Sequence, residues 1–76
     1  MNTLIVDQQI AESLPARCKS VLIGLANSEN PKSLGGLLGI SPKTVEYHRA
    51  TVMRKLHIND LAGLTRFAIR SGLIQA

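Results

Sequence analysis

The sequence contains a single cysteine, Cys18, and only two aromatic residues, Tyr47 and Phe67, among its 76 residues. One cysteine excludes an intramolecular disulfide and a cysteine-based zinc site, and it is consistent with a reducing compartment. No apolar run approaches the roughly 20 residues of a membrane span. The N-terminus has no basic segment followed by a continuous apolar one, which is the pattern of a secretory signal. We therefore expect an aliphatic core and a cytoplasmic location.

Residue patterns that serve catalysis or metal binding are also missing from the sequence. The acidic residues are scattered, and no nucleophile is paired with a base. Gly35 and Gly36 lie inside a helical pattern and not after a strand, so they do not form a phosphate-cradling loop. The two histidines, His48 and His57, are nine positions apart and have no acidic cluster near them. We expect no enzymatic activity, no cofactor and no metal.

Positive charge is concentrated in the second part of the chain. Residues 1–30 hold two basic and three acidic side chains, whereas residues 31–76 hold seven basic and two acidic ones. Such an excess favours a polyanionic partner, although many basic domains bind nothing in particular. The chain is long enough for one domain, but short enough that oligomerisation would help its stability.

Apolar spacing predicts an all-α fold with four helices, at about residues 14–27, 31–38, 42–56 and 60–71. In the first of these, Leu14, Cys18, Val21, Leu22 and Leu25 share one face of a 3.6-residue period. Residues 1–12 are expected to be an N-terminal arm or a short extra helix before a domain of residues 13–76.

The ends of the predicted helices follow from capping residues. Pro15 suits a first turn with Ser13 as its cap, and Ser41 followed by Pro42 is a strong start signal. Gly39 is expected to end the preceding helix in a left-handed conformation. The last helix is expected to be capped by Asn59 or Asp60 and to end at Gly72, with Leu73 and Ile74 folding back on the core.

Inward-facing residues are expected on each of the later helices. These residues are Leu34, Leu37 and Leu38 on the second helix, and Leu61, Leu64 and Ala68 on the last. Phe67 falls off that last stripe and is expected to be exposed. The two middle helices are joined by a turn of about three residues containing glycine, which is the spacing of a helix-turn-helix.

The predicted helix of residues 42–56 divides into distinct faces at about 100° per residue. Its narrow buried stripe consists of Val45, Val52 and Leu56, with Met53 at the edge. The opposite side holds Lys43, Tyr47, Ala50 and Arg54, with Glu46 beside them, and one flank holds Thr44, His48, Thr51 and Lys55. This division suits a helix in a DNA major groove, where a small residue permits close approach and long polar residues reach base edges. An ordinary solvated helix face is the alternative.

The stretch "LLGISPKTVEYHRATVMRKL" resembles the helix-turn-helix of LuxR-type DNA-binding domains. The residues that match the family pattern are Leu38, Ile40, Ser41, Thr44, Val45, His48, Val52, Lys55 and Leu56. The segment "VEYHRATVM" and the last helix are most similar to the FixJ-like subgroup. The resemblance covers about residues 13–74. The chain departs from the family at Cys18 and Ser20, where acidic residues are usual. It also has Pro31 in place of Asn and Gly35 in place of Ala.

The resemblance implies a four-helix domain whose third helix reads the major groove and whose fourth often forms the dimer contact. Base-facing positions would be Lys43, Glu46, Tyr47 and Ala50. Phosphate-facing positions would be Lys32, Ser41, Thr44, His48, Arg54 and Lys55. We assign Arg66, Phe67, Ile69, Arg70 and Leu73 to the dimer interface.

The sequence therefore predicts a sequence-specific DNA-binding transcriptional regulator that binds an inverted repeat as a homodimer. The alternative is a protein-binding antagonist that keeps the fold and contacts another regulator through its last helix. Residues 1–12 are too few for the regulatory domain that often precedes this module, so the sequence describes either a stand-alone regulator or part of a longer one.

Several single residues keep two interpretations. Cys18 lies on an apolar face, which favours a packed core thiol over a redox sensor. For His48, a phosphate-contacting or partly buried role is favoured over metal binding. Arg49 would pair with an acid such as Asp60 or reach a phosphate. Glu46 would either accept a hydrogen bond from a base such as cytosine or fix a neighbouring Lys or Arg.

Overall fold

The computed structural model describes residues 3–75, with side-chain surroundings from residue 6 onward. Within that range the chain forms five α-helices and no strand, which confirms the all-α prediction. The helices are α1 Thr3–Ser13, α2 Ala16–Ala26, α3 Pro31–Leu38, α4 Pro42–Leu56 and α5 Leu61–Arg70. The four predicted helices correspond to α2–α5. Within the predicted arm or extra helix, residues 1 and 2 lie outside the described range, as do the side chains of Leu4 and Ile5.

Side-chain caps fix the start of three helices. Asn30 Oδ1 accepts from the Ser33 amide at 2.8 Å, Ser41 Oγ accepts from the Thr44 amide at 3.1 Å, and Asp60 Oδ1 accepts from the Gly63 amide at 2.8 Å. Each satisfies an amide at a helix start that has no partner within the helix. The predicted caps at Ser41 and Asp60 are thus confirmed.

The predicted cap of the first core helix is wrong. Pro15, not Ser13, is the N-cap residue of α2, and no side chain caps it. The Ser13 hydroxyl instead donates to the Ile10 carbonyl at 2.7 Å. The reason is that α1 continues through Ser13, so this residue ends one helix and does not begin the next.

Helix α2 lies at the centre of the molecule and packs against α3, α4 and α5. The buried core consists of Ala11, Leu14, Cys18, Val21, Leu22, Leu25, Ala26, Leu34, Val45, Val52, Leu64, Phe67 and Ala68. Leu73 and Ile74 pack partly buried against it, as expected for a chain that folds back after α5. The left-handed Gly39 ends α3 at a φ of 72°, which confirms that prediction.

Three predicted burials are wrong. Phe67 is 3% exposed and belongs to the core, whereas Leu37 and Leu61 are 72% and 51% exposed. On α5 the buried face is formed by Leu64, Phe67 and Ala68, because both α1 and α2 pack against this helix. That face is rotated away from Leu61. On α3, a helix of eight residues, Leu34 alone of the three leucines is fully buried and Leu38 is half-buried.

Helix α1 is attached to α5 by an ion pair as well as by packing. Asp7 Oδ2 accepts from Arg70 Nε at 3.0 Å, and the Asp7 side chain is only 10% exposed. Ala11 of the same helix is buried. Among residues 3–75, no helix is long and apolar enough to cross a membrane.

Candidate nucleic-acid interface

The turn between α3 and α4 is held tightly against α3. The Ile40 amide donates to the Gly35 carbonyl at 2.9 Å. A Cβ on Gly35 would lie 2.6 Å from the Ile40 carbonyl oxygen and 3.3 Å from the Pro42 nitrogen. The absence of a side chain at Gly35 therefore allows α3 to approach the turn and the start of α4 closely.

Helix α4 is held to the domain by a narrow stripe. Val45 and Val52 are buried at 0% and 1% exposure, and Leu56 is half-buried. The burial of Val45 and Val52 confirms that part of the predicted stripe. The side of the 15-residue helix opposite this stripe is exposed, and it is therefore free to contact another molecule.

Three of the predicted base-facing residues are solvent-exposed on the outer side of α4. These are Lys43, Tyr47 and Ala50, and Tyr47 is 66% exposed. Arg54 is exposed one turn further along. Lys43 and Tyr47 supply hydrogen-bond donors, and the small side chain of Ala50 permits close approach of the helix. Such a surface suits the base edges of a major groove.

The predicted phosphate-facing residues lie on α3, at the start of α4 and along α4. Lys32 and Lys55 are exposed, and Lys32 lies on α3, so the set spans both helices. Ser41 Oγ lies 2.9 Å from Thr44 Oγ1, which joins the two hydroxyls at the N-terminus of α4. The amides at that end carry a partial positive charge that favours phosphate.

Glu46 and Arg49 form an ion pair on the other flank of α4. Arg49 Nη2 donates to Glu46 Oε2 at 3.0 Å, with side chains 38% and 45% exposed for arginine and glutamate respectively. Arg49 Nη1 also lies 3.6 Å from Met53 Sδ. Of the two interpretations of Glu46, this geometry corresponds to fixing a neighbouring arginine.

Arg49 pairs with an acid, as one of its two interpretations predicts, but that acid is Glu46. Asp60 Oδ1 instead accepts from the Gly63 amide at the start of α5. Glu46 and Arg49 line an open groove together with residues of the α2–α3 loop, including Glu29. Arg49 Nε is buried there without a hydrogen-bond partner among the described residues.

Cys18 and His48 meet where α2 packs against α4. Cys18 Sγ lies 3.7 Å from His48 Nδ1, and Cys18 is 4% exposed, as expected for a core thiol. The half-buried His48 ring also meets the Tyr47 ring edge-on, with centroids 5.6 Å apart. Sequence reasoning missed this contact because the two residues are 30 positions apart on different helices.

His57 is not part of this pair, because it lies at the end of α4. It is the C-cap residue, with a left-handed φ of 56°. In the described part of the chain, no group of three or more His, Cys, Asp or Glu side chains is arranged to hold a metal ion.

The predicted dimer residues divide into two groups. Arg66, Ile69 and Arg70 are exposed on α5, and Leu73 is half-buried after it. Phe67 is buried between α5 and its neighbours, so it has no surface to offer a second copy. Its assignment to the interface is corrected for that reason.

Comparison with known proteins agrees with the helix-turn-helix geometry. Residues 8–68 match the family model described as bacterial regulatory proteins, luxR family. The chain belongs to this family. The match begins within α1 and includes α3, the turn and α4, so the luxR-family helix-turn-helix, a DNA-binding unit, is present in full.

Among its relatives are proteins named transcriptional regulatory protein FixJ. The chain is 39% identical over 62 residues to that of Bradyrhizobium diazoefficiens, covering 82% of this chain and 30% of the relative. It is 41% identical over 71 residues to that of Azorhizobium caulinodans, covering 93% and 33%. It is 40% identical over 65 residues to that of Rhizobium meliloti, covering 86% and 30%. The chain thus spans about a third of the length of these luxR-family relatives, and no solved structure matches it.

Proposed function

We propose that this luxR-family chain places α4 in the major groove of specific double-stranded DNA and acts in transcriptional regulation. The observation that carries the proposal is the division of α4. Val45 and Val52 are wholly buried, while Lys43, Tyr47 and Ala50 on the opposite side are exposed and unoccupied by any other part of the described chain. A helix attached by so narrow a stripe can enter a groove along most of its surface.

We assign the reading of bases to the exposed outer face of α4. We assign the positioning of the protein on the DNA backbone to the flank of α4. Tyr47 and Lys43 would reach base edges, Ala50 would permit close approach, and Glu46 would lie at the margin of the reading surface. The phosphate contacts would come from Lys32, Ser41, Thr44, His48, Arg54 and Lys55. Phosphate contacts fix the position of the protein, whereas base contacts select the sequence.

Two copies are proposed to bind an inverted repeat, with α5 between them. The outward side of α5 and the segment after it supply Arg66, Ile69, Arg70 and Leu73 for this contact. Two-fold symmetry would then place the two α4 helices roughly 34 Å apart, which is one turn of DNA. The proposed place of action is the bacterial cytoplasm, where the chromosome lies.

The test separates the two kinds of DNA contact. An operator is first selected from a random duplex pool, and affinities for operator and unrelated DNA are then measured at several salt concentrations. Lys55→Ala should weaken binding to both DNAs alike and reduce the salt slope by about one unit. Tyr47→Ala should weaken operator binding more than unrelated binding, by about 1–3 kcal/mol of discrimination. Lys19→Ala, on α2, serves as the charge control.

The opposite result would identify a different use of the fold. If the purified protein shows no DNA binding at low salt but forms a tight complex with another regulator through α5, the groove assignment is wrong. The protein-binding antagonist is then the correct reading.

A further inference from the structure

The contact between Cys18 and His48 has a direct consequence for how the protein meets the DNA backbone. We propose that Cys18 is a positioning residue, which holds the His48 imidazole so that its Nε2–H is directed outward to a phosphate. This inference rests on the proposed function, since it takes His48 as a phosphate-facing residue of α4.

One end of the imidazole has a defined neighbour in the structure. Nδ1 lies 3.7 Å from Cys18 Sγ, which is within the range of a hydrogen bond to sulfur. Cys18 is 4% exposed and lies one turn from the fully buried Val21 and Leu22, so its thiol has little access to water. His48 itself is half-buried, so part of the residue remains accessible to solvent beside this core contact.

The chemistry of the two groups selects one tautomer. A thiol is a weak donor and a weak acceptor, whereas an unprotonated imidazole nitrogen is a good acceptor. The favoured arrangement therefore has the Cys18 S–H donating to Nδ1, and the ring proton is then on Nε2. A phosphate oxygen can only accept, so this tautomer is the neutral form that binds it.

The imidazole has a second neighbour in the Tyr47 ring. The Tyr47 ring meets His48 edge-on at 5.6 Å between centroids. Because the imidazole contacts both Cys18 and Tyr47, we expect the free protein to hold it close to the orientation needed for binding. Less side-chain entropy is then lost when the phosphate contact forms.

The first measurement reads the tautomer directly in the free protein. Long-range proton–nitrogen NMR spectra of the His48 side chain are recorded in a mildly alkaline buffer, where an ordinary imidazole is neutral. The wild-type protein should show one dominant Nε2–H form. Cys18→Val, which keeps an apolar side chain in the core, should give a mixture of tautomers, and Cys18→Ser, which restores a donor, should return the Nε2–H form. An Nδ1–H form in the wild type, or identical spectra in all three proteins, overturns the proposal.

The second measurement links the tautomer to DNA. Affinity for an unrelated duplex is measured for Cys18→Val, His48→Ala and the double variant, because a phosphate contact is independent of sequence. His48→Ala should weaken binding about two- to tenfold, and Cys18→Val by a smaller factor, in line with the net worth of a hydrogen bond. In the His48→Ala background, Cys18→Val should have no further effect. Ser20→Ala, on the same helix, is the control and should change nothing.

The outcomes separate this inference from the proposed function. If Lys55→Ala and Tyr47→Ala behave as proposed but Cys18→Val weakens binding equally with and without His48, Cys18 is only structural and the positioning role is wrong. If His48→Ala leaves affinity unchanged, His48 touches no phosphate and the inference is again wrong, although α4 still reads DNA. If Lys55→Ala, Tyr47→Ala and His48→Ala all leave DNA affinity unchanged, the proposed function itself is wrong.

Discussion

Glu46 is the one acidic residue on a helix proposed to bind a polyanion. Its carboxylate is 3.0 Å from the Arg49 guanidinium, which is also in contact with Met53. Both side chains are partly exposed, so the pair itself contributes little to stability. Both residues line the groove that also contains Glu29. If α4 binds DNA as proposed, we expect this pairing to reduce the attraction of Arg49 to phosphates.

Replacing Glu46 by glutamine should increase affinity for unrelated DNA and reduce the preference for the operator. Removing the carboxylate charge eliminates repulsion from phosphate and releases Arg49, and an exposed charge contact of this kind corresponds to about two- to fivefold in affinity. The measurement compares operator and unrelated duplexes at two salt concentrations. Glu29→Gln removes the same charge from the same groove but not from α4. If both variants raise affinity equally, net charge explains the result and Glu46 has no particular role.

Helix α3 shows two adjacent glycines with opposite roles. A Cβ on Gly35 would meet backbone atoms of Ile40 and Pro42, whereas a Cβ on Gly36 has nothing within 4 Å. Helical propensity alone treats the two positions alike, since glycine costs about 1 kcal/mol relative to alanine at each. Only Gly35 offsets this cost, because it permits the close contact between α3 and the turn.

The two glycine-to-alanine variants should therefore change stability in opposite directions. Gly36→Ala should raise the free energy of unfolding by about 0.4–1 kcal/mol, since it restricts the unfolded chain without a clash. Gly35→Ala should lower it by about 1–3 kcal/mol, because the backbone at 2.6 Å must move. Urea unfolding followed by circular dichroism measures both. Equal stabilisation by the two variants would show that the turn lies further from α3 than described.

Across the molecule as a whole, α1 is joined to α5 by the ion pair of Asp7 and Arg70. The Asp7 carboxylate is largely buried and receives the Arg70 guanidinium, which is 52% exposed. The two partners differ in what their loss would leave behind. Without Arg70, a buried carboxylate loses its donor, whereas without the Asp7 charge, the arginine remains solvated.

Arg70→Met should consequently destabilise the protein more than Asp7→Asn. We expect about 1–3 kcal/mol for the first, from an unsatisfied buried acceptor, and below about 1 kcal/mol for the second. Thermal unfolding at neutral pH measures the difference. Arg66→Met removes an exposed arginine of the same helix that forms no ion pair within residues 6–75, and it should have little effect. A loss from Arg70→Met no larger than that from Arg66→Met would show that the ion pair does not hold α1 in place.

The proposed dimer is also tested on the whole molecule. Ile69 is 38% exposed on the outward side of α5. A lysine there would bury an unpaired charge in the contact, so Ile69→Lys should shift the protein to monomer and weaken operator binding more than unrelated binding. Sedimentation with and without operator DNA gives the mass. Leu37→Lys, at the more exposed leucine of α3, is the matched control and should leave the mass unchanged. A wild-type protein that is monomeric even on its operator would contradict the dimer.

Local signals account for most of what could be predicted. The helix starts at Ser41 and Asp60 depend on side chains that accept from amides three residues away, so they can be recognised from neighbouring residues alone. The buried valines of α4 follow from a single helical period. The errors at Phe67 and Leu61 arose where two helices pack on α5, since the width of a buried face depends on what packs against it.

The all-α fold, the turn between α3 and α4, and the buried face of α4 could all be inferred from the order of the residues. These depend on periodicity, capping and glycine conformation, which act over a few residues. The pairing of Asp7 with Arg70 and the contact of Cys18 with His48 join residues 63 and 30 positions apart, so they are visible only once the helices are packed together. The need for glycine at position 35 likewise comes from the packing of α3 against the turn. Such contacts depend on how helices pack together. The spacing of residues along one helix does not show which other helix will pack against it.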